Sequence, residues 1–263
     1  MPGERRTVDL SADVGEASDD DGIAVERALL GVVTSAHVAC GGHAGDEASM
    51  RATVEAALAA GVHVGAHPSY PDRLGFGRRP MDMQTGDLSS SLAAQLGALV
   101  AVTDSLGTKV HSVKPHGALY GEVARGGAPY DLLLSVMHEQ CGPDTALVLP
   151  AASPAVALAT GAGVTVLQEG FADRAYAPDG GLVARHEPGS VYGDPALAQA
   201  QARELVTHGT VRASDGTRLT FEVDTICVHG DSPHALAMAQ AVRAACIAAG
   251  VVVRAPLTRL SAE

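Results

Sequence analysis

Apolar and polar residues alternate through TVDLSADV at 7–14. Val8, Leu10, Ala12 and Val14 fall on one face of an extended chain and Asp9, Ser11 and Asp13 on the other. The alternation predicts a strand that turns Asp9 and Asp13 together toward the inside. Further apolar runs predict strands at 35–39, 62–66, 109–113, 146–149, 164–169 and 224–228, with a short closing strand at 250–254. Between them lie helical stretches at 22–31, 47–60, 87–106, 129–140, 154–160, 195–208 and 235–249. Gly61 and Gly107 stop two of these helices. Residues 211–223 predict a hairpin around Ser214, Asp215 and Gly216. Two segments have no period and read as loops: HPSYPDRLGFGRRP after the third strand and FADRAYAPDGGLVARHEPGSV after the sixth.

Seven or eight such β-α units predict a parallel sheet with helices outside it. An open doubly wound sheet gathers its ligand groups at one switch point. Here nearly every strand end carries polar residues, which favours a closed α/β barrel with its site at the mouth. The length, 263 residues, suits one such barrel, and no repeat or linker divides the chain, so residues 1–263 are expected to form a single domain.

Composition narrows the function classes. Hydrophobic residues make up 46%, mostly Ala, Val and Leu, with no Trp and three Phe. Small aliphatics of this kind suit parallel strands covered on both faces. A formal net charge of −12 excludes the basic footprint of a nucleic-acid or anionic-membrane binder. Cys40, Cys141, Cys227 and Cys246 form no C-x-x-C pair and no disulfide framework. The start, MPGERRTVDL, is too polar for a signal peptide, and no apolar run approaches the roughly 18 residues of a spanning helix. A reducing, cytoplasmic setting is expected.

Residues able to do chemistry follow the strands. They are Asp13 and Glu16 after the first, Cys40, His43 and Asp46 after the second, and His67, Tyr70, Asp72, Arg78 and Arg79 after the third. Lys114, His116 and Tyr120 follow the fourth, Glu169, Asp173 and Arg174 the sixth, and His229 and Asp231 the seventh. Each has a plain structural alternative. Asp13 would serve as a helix N-cap, His43 would order a Gly-rich turn, and Arg78-Arg79 would be a solvated pair rather than an anion clamp. Cys40 and Cys227 read as small core residues. Lys114 stands out because Lys109 is the only other lysine. A lysine there either pairs with a barrel carboxylate or polarises a carbonyl or phosphate. Carboxylate plus several imidazoles also suits a catalytic divalent metal, with Asp13, His43 and His67 as the candidate ligands. Neither H-E-x-x-H nor G-x-x-x-x-G-K-[ST] occurs, so ATP would bind without a Walker motif or on another polypeptide.

The segments VDLSADVGE, VACGGHAGD, GAHPSYPDRLGFGRR, VKPHGALY, EGFADRAY and DTICVHGD resemble, in order and spacing, those of the LamB/YcsF family. The resemblance implies an irregular, seven-stranded barrel like those of sugar deacetylases and some glycoside hydrolases. It implies the A component of a three-part enzyme that opens the lactam of 5-oxo-L-proline to L-glutamate. That enzyme hydrolyses ATP, with Mg²⁺, to ADP and phosphate, and works with B and C subunits. Carried onto this chain, it points at Asp13, Glu16, His43, Asp46, His67, Lys114, His116, Asp173, Arg174, His229 and Asp231. Asp13 with His43 or His67 would activate water or hold a divalent ion. Lys114 and Arg174 would bind substrate carboxylate or phosphate charge, and His116 or His229 would donate a proton. Loss of Lys114 or Asp13 is expected to abolish activity and leave the thermal midpoint nearly unchanged. Two positions depart from the family pattern. Ser11 replaces an asparagine, and Gly42 replaces a phenylalanine, which is expected to widen the pocket beside His43. Two other readings stay open: a stand-alone metal-dependent amidase or deacetylase, and a non-catalytic substrate-binding or scaffolding subunit.

Overall fold

The computed structural model describes residues 6–229 and 234–256. Six parallel strands come first: β1 (Thr7–Val14), β2 (Ser35–Ala39), β3 (His63–His67), β4 (Ser112–Val113), β5 (Ala146–Pro150) and β6 (Val166–Phe171). A small antiparallel hairpin, β7 (Thr210–Arg212) and β8 (Arg218–Thr220), sits where the Asp-Gly turn predicts it. Next, β9 (Thr225–Val228) pairs with β6 on one side and β1 on the other, closing a seven-stranded barrel. A two-residue strand, β10 (Val252–Val253), pairs with the start of β1. The helices are α1 (Asp20–Leu30), α2 (Glu47–Ala60), α3 (Thr85–Ser105), α4 (Gly117–Ala124), α5 (Ala128–Cys141), α6 (Pro154–Gly161), α7 (Pro195–His208) and α8 (Ala235–Ala248). Asp19, not Asp13, is the N-cap of α1 and accepts from the Gly22 amide.

One helix departs from the sequence reading. The sequence predicts no helix between the fourth strand, which ends in KPHGALY, and residue 129, yet α4 starts at Gly117. The helix has eight residues, opens on glycine and has no capping side chain, so it carries none of the usual start signals. Gly117 has φ 58°, and a Cβ there would lie 2.4 Å from the Gly77 carbonyl oxygen. The close approach locks the loop after β3 against the start of α4.

The apolar face of β1 packs outward: Val8, Leu10, Ala12 and Val14 join Leu29, Leu30 and Val33 in the core between strands and helices. The lumen is unusual. Barrel interiors are normally filled by branched aliphatics, whereas here Asp9, Ser11, Asp13, Ser35, His37, Ser112 and Thr225 are all buried. Asp9 is satisfied by three hydroxyls, from Thr34 at 2.7 Å, Ser35 at 2.8 Å and Thr225 at 2.6 Å. One carboxyl thus ties together β1, β2 and β9, where the barrel closes. Burial raises its pKa despite those bonds. His37, one layer above, needs space that only a glycine opposite leaves. A Cβ on Gly65 would lie 2.6 Å from both His37 Cδ2 and Ser112 Oγ. Gly65→Ala is therefore expected to destabilise the barrel by about 1–3 kcal/mol through overpacking, read by urea denaturation. An unchanged midpoint and slope would show that His37 can move aside freely.

Candidate active site at the barrel mouth

Above His37 the lumen opens into a cavity of about 790 Å³. Its floor is an ion cluster. The Lys114 ammonium donates to Asp13 Oδ1 at 2.9 Å, Asp13 Oδ2 at 3.0 Å and Cys227 Sγ at 3.2 Å. It also lies 2.9 Å from Glu169 Oε1, off a hydrogen-bonding direction, so that contact is an ion pair. Tyr120 donates to the other Glu169 oxygen at 2.6 Å. These groups come from the ends of β1, β4, β6 and β9, which is why no local motif contains them. Lys114 is 2% exposed. Burial works against its charge, but Asp13 foremost, then Cys227 and Glu169, raises its pKa well above the usual lysine value. Burial likewise opposes ionisation of Asp13, but His67 and Lys114 hold it well below the usual carboxylate range. The pair is charged throughout the physiological range.

A second group stands beside the first. His67 Nδ1 donates to the Lys114 carbonyl oxygen at 2.7 Å, and His116 Nε2 donates to the Phe76 carbonyl oxygen at 2.9 Å. The remaining ring nitrogens, His67 Nε2 and His116 Nδ1, face each other at 3.0 Å. Glu16 Oε1 lies 3.4 Å from the second and 3.8 Å from the first. His43 stacks on His116, with ring centroids 3.7 Å apart, and its Nε2 is 2.9 Å from Glu16 Oε1. Burial pushes both His43 and His116 down to about 4, and His67 well below its usual value. Phe76 itself has φ 53°, a costly conformation for a bulky residue, and this turns its carbonyl toward His116.

A third element is the pair of Asp173 and His229. His229 Nδ1 lies 3.1 and 3.0 Å from the two Asp173 oxygens, and the His229 amide donates to Asp173 Oδ2 at 3.0 Å. Burial lowers the His229 pKa, but Asp173 overrides it, and the net shift is upward. Asp173 is correspondingly lowered against its own burial.

The structure gathers Asp13, Glu16, His67, Arg78, Lys114, His116, Arg174 and His229 on the cavity wall. His43 lies directly behind that wall. Other candidates sit elsewhere. Asp46 is exposed and forms the capping box of α2 with Ser49. Tyr70 is buried and donates to Glu122. Asp72 caps Gly75 and pairs with Arg79 within the loop after β3. Arg174, besides facing the cavity, donates to the Ser190 and Val183 carbonyls. Asp231 lies outside the described residues. Three features escape the sequence reading: His37, Phe76 and the lumen role of Cys227. His37 is within reach of the alternation argument, since Ser35 and His37 share the inward face of β2 as Asp9 and Asp13 do on β1.

Gly42 corrects an expectation. It does not line the cavity. A Cβ on it would lie 2.4 Å from Gln95 Oε1 and 2.5 Å from Ser69 Oγ. Buried Gln95, bonded to the Ser69 amide and carbonyl, fills that space, so glycine here admits a glutamine rather than widening the pocket. Gly42→Phe is expected to cost at least about 1–3 kcal/mol by overpacking, and Gln95→Ala in the same chain to relieve part of it. Equal midpoints for the single and double variants would refute that account. Ser11 sits one layer below the cavity, its hydroxyl donating to Thr225 Oγ1 at 3.0 Å because the Thr225 proton goes to Asp9, and makes no part of the cavity wall.

Fold and site define a closed α/β barrel whose mouth holds a buried lysine–carboxylate centre flanked by imidazoles. The chain belongs to the LamB/YcsF family, whose description matches residues 8–261. It is 45% identical over 247 residues to the A subunit of 5-oxoprolinase from Paracidovorax citrulli (strain AAC00-1), covering 94% of this chain and 98% of that one. It is 43% identical over 250 residues to the 5-oxoprolinase A subunit of Methylococcus capsulatus (strain Bath), covering 95% and 96%. Among solved structures it matches the lactam utilization protein from Thermus thermophilus with a TM-score of 0.86 and 38% identity, over 95% of this chain and 100% of that one. No helix among the described residues is long and apolar enough to cross a membrane.

Proposed function

We propose that the chain is the A component of an ATP-dependent 5-oxoprolinase, acting with B and C subunits to open 5-oxo-L-proline to L-glutamate. The observation that carries the reading is the buried Lys114, held between Asp13 and Glu169 on the floor of a large cavity, in a chain whose relatives bear that enzyme's name. A lactam is a poor electrophile. In this reading ATP, with Mg²⁺, phosphorylates the lactam oxygen and water adds to the activated carbon. The ring C–N bond then breaks as the nitrogen takes a proton, which leaves an acyl phosphate, and a second water cleaves it to L-glutamate and phosphate. Lys114 supplies fixed positive charge where the oxygen becomes negative. Asp13, kept ionised, orients water or substrate N–H. His229, with its pKa raised by Asp173, is the group suited to protonate the departing nitrogen; His116, pushed down to about 4, is not. The cavity, about 790 Å³, is in the size range of sites for drug-sized ligands and exceeds what a lactam alone fills. That surplus accords with a substrate carrying a phosphoryl group or a partner segment reaching in.

The test is glutamate release from 5-oxo-L-proline by the purified chain, alone and with its B and C partners, with and without ATP and Mg²⁺. Turnover only in the full mixture supports the reading. Turnover by the chain alone without ATP would replace it with an independent amidase. Binding of 5-oxoproline with full complex activity after loss of Lys114 would reduce the chain to a substrate-holding role.

A further inference from the structure

We propose that Glu16, His67 and His116 form a three-ligand site for a zinc-class transition-metal ion, with His43 as the residue that orients Glu16 from behind. Metal binding at this site is a property of the chain itself and does not depend on the substrate assigned above.

Hydrogen bonding fixes the tautomers. A carbonyl oxygen only accepts, so the nitrogens that bond the Lys114 and Phe76 carbonyls must carry the protons. His67 Nε2 and His116 Nδ1 are therefore bare lone pairs, aimed at each other across 3.0 Å. Glu16 Oε1 adds a third acceptor, 3.4 and 3.8 Å away. Three acceptors thus converge in a largely buried place, and Asp13 Oδ2 stands 3.4 Å from His67 Nε2 as well, an arrangement that favours a cation. The spacing fits one. Ligands bound at about 2.0–2.2 Å with bond angles near those of a tetrahedron stand about 3.3–3.6 Å apart, a range that the gaps of 3.0, 3.4 and 3.8 Å bracket. Each histidine also donates its other N–H to a backbone carbonyl, which is how metal-binding imidazoles are oriented.

His43 belongs to the outer layer. Its Nε2 is 2.9 Å from Glu16 Oε1, and its Nδ1 is buried with no partner. A bare nitrogen tolerates such burial better than an N–H does. The proton therefore sits on Nε2 and is donated to Glu16, which leaves His43 no lone pair there for a metal. Geometry agrees, because Glu16, His67 and His116 line the cavity and His43 does not. The set is two imidazoles and one carboxylate with its free side toward the cavity, as in open catalytic metal sites. Imidazoles suit zinc, cobalt and nickel; magnesium prefers oxygen. A second cluster, Asp13, Cys227 and His229, has ligand-like spacing too, but the Lys114 ammonium already supplies its cation.

The test is titration of the chelator-stripped full chain with Co²⁺ and Zn²⁺, followed by calorimetry and by Co²⁺ visible absorption. One ion per chain is expected, unaffected by a large excess of Mg²⁺. His116→Ala should remove the stoichiometric ion, with circular dichroism confirming that the variant is folded. His43→Phe keeps the stack on His116 and should retain one ion with roughly 10–100-fold weaker affinity. Failure of the native chain to bind, competition by Mg²⁺ at equal concentration, or native-like binding by His116→Ala would each overturn the site. Complete loss of the ion in folded His43→Phe would overturn the three-ligand assignment, as would unchanged affinity.

Discussion

Lys114→Ala is expected to lower glutamate release by the assembled complex at least about 10²–10³-fold, the scale for losing a charge aimed at a developing oxyanion. The same change should also unsettle the fold, contrary to what sequence alone suggests. Lys114 is buried, and its removal leaves Asp13 and Glu169 facing across a low-dielectric floor. Stripping one partner from such a cluster costs about 3–5 kcal/mol. The sign with pH follows. Without Lys114, and with His67 itself held neutral by burial, little offsets the burial of Asp13, and its pKa is expected to rise above the unfolded value. A carboxyl that holds a proton when folded and loses it when unfolded contributes stability only at low pH. The variant's thermal deficit should therefore be larger at pH 8 than at pH 5.5. Equal deficits at both, or a native midpoint, would mean that the cluster is solvated in ways its burial does not suggest.

Asp173→Asn should lower activity by roughly 10²–10⁴-fold while barely changing the fold, as an aspartate that holds a catalytic imidazole does elsewhere. In the native chain Asp173 raises the His229 pKa against the pull of burial. The stability linked to that shift is fully present below the unfolded histidine value and is lost as pH rises through the folded one. With asparagine, burial prevails and His229 titrates lower. NMR of the ring should show the drop, and the residual rate should recover as pH falls. A variant whose His229 titrates as before, or whose rate is independent of pH, would remove the pair from the proton-transfer role.

Much of this is legible in the chain. The period-two pattern of 7–14 places Asp9 and Asp13 inside, and the scarcity of lysine marks Lys114. Strand-end chemistry distinguishes a barrel from an open sheet. What cannot be read is which groups meet. Lys114 contacts Asp13, 101 positions away, and Cys227, 113 positions away, through barrel closure alone. Cys227 looks like a small core residue because burial of a thiol is the commoner outcome. Asp46 and Asp72 stand within the same motifs as His43 and His67, yet one caps a helix and the other staples a loop. A carboxylate at a turn serves backbone amides as readily as a ligand, and sequence spacing does not separate the two. Gly42 misleads for a related reason: the side chain that answers it, Gln95, lies far along the chain on α3.

The polar lumen also bears on how the chain reaches its native state. Asp9 and Asp13 are made first, but the groups that make their burial tolerable arrive late: Lys114 after β4, and Thr225 on β9. A collapsed intermediate lacking β9 would have to bury Asp9 without one of its three hydroxyls, at a cost comparable to a sizeable share of net stability. Partial barrels are therefore expected to stay open and hydrated. Docking of β9 completes the hydroxyl set around Asp9, so closure of the barrel is expected to be cooperative rather than a gradual accretion of β-α units.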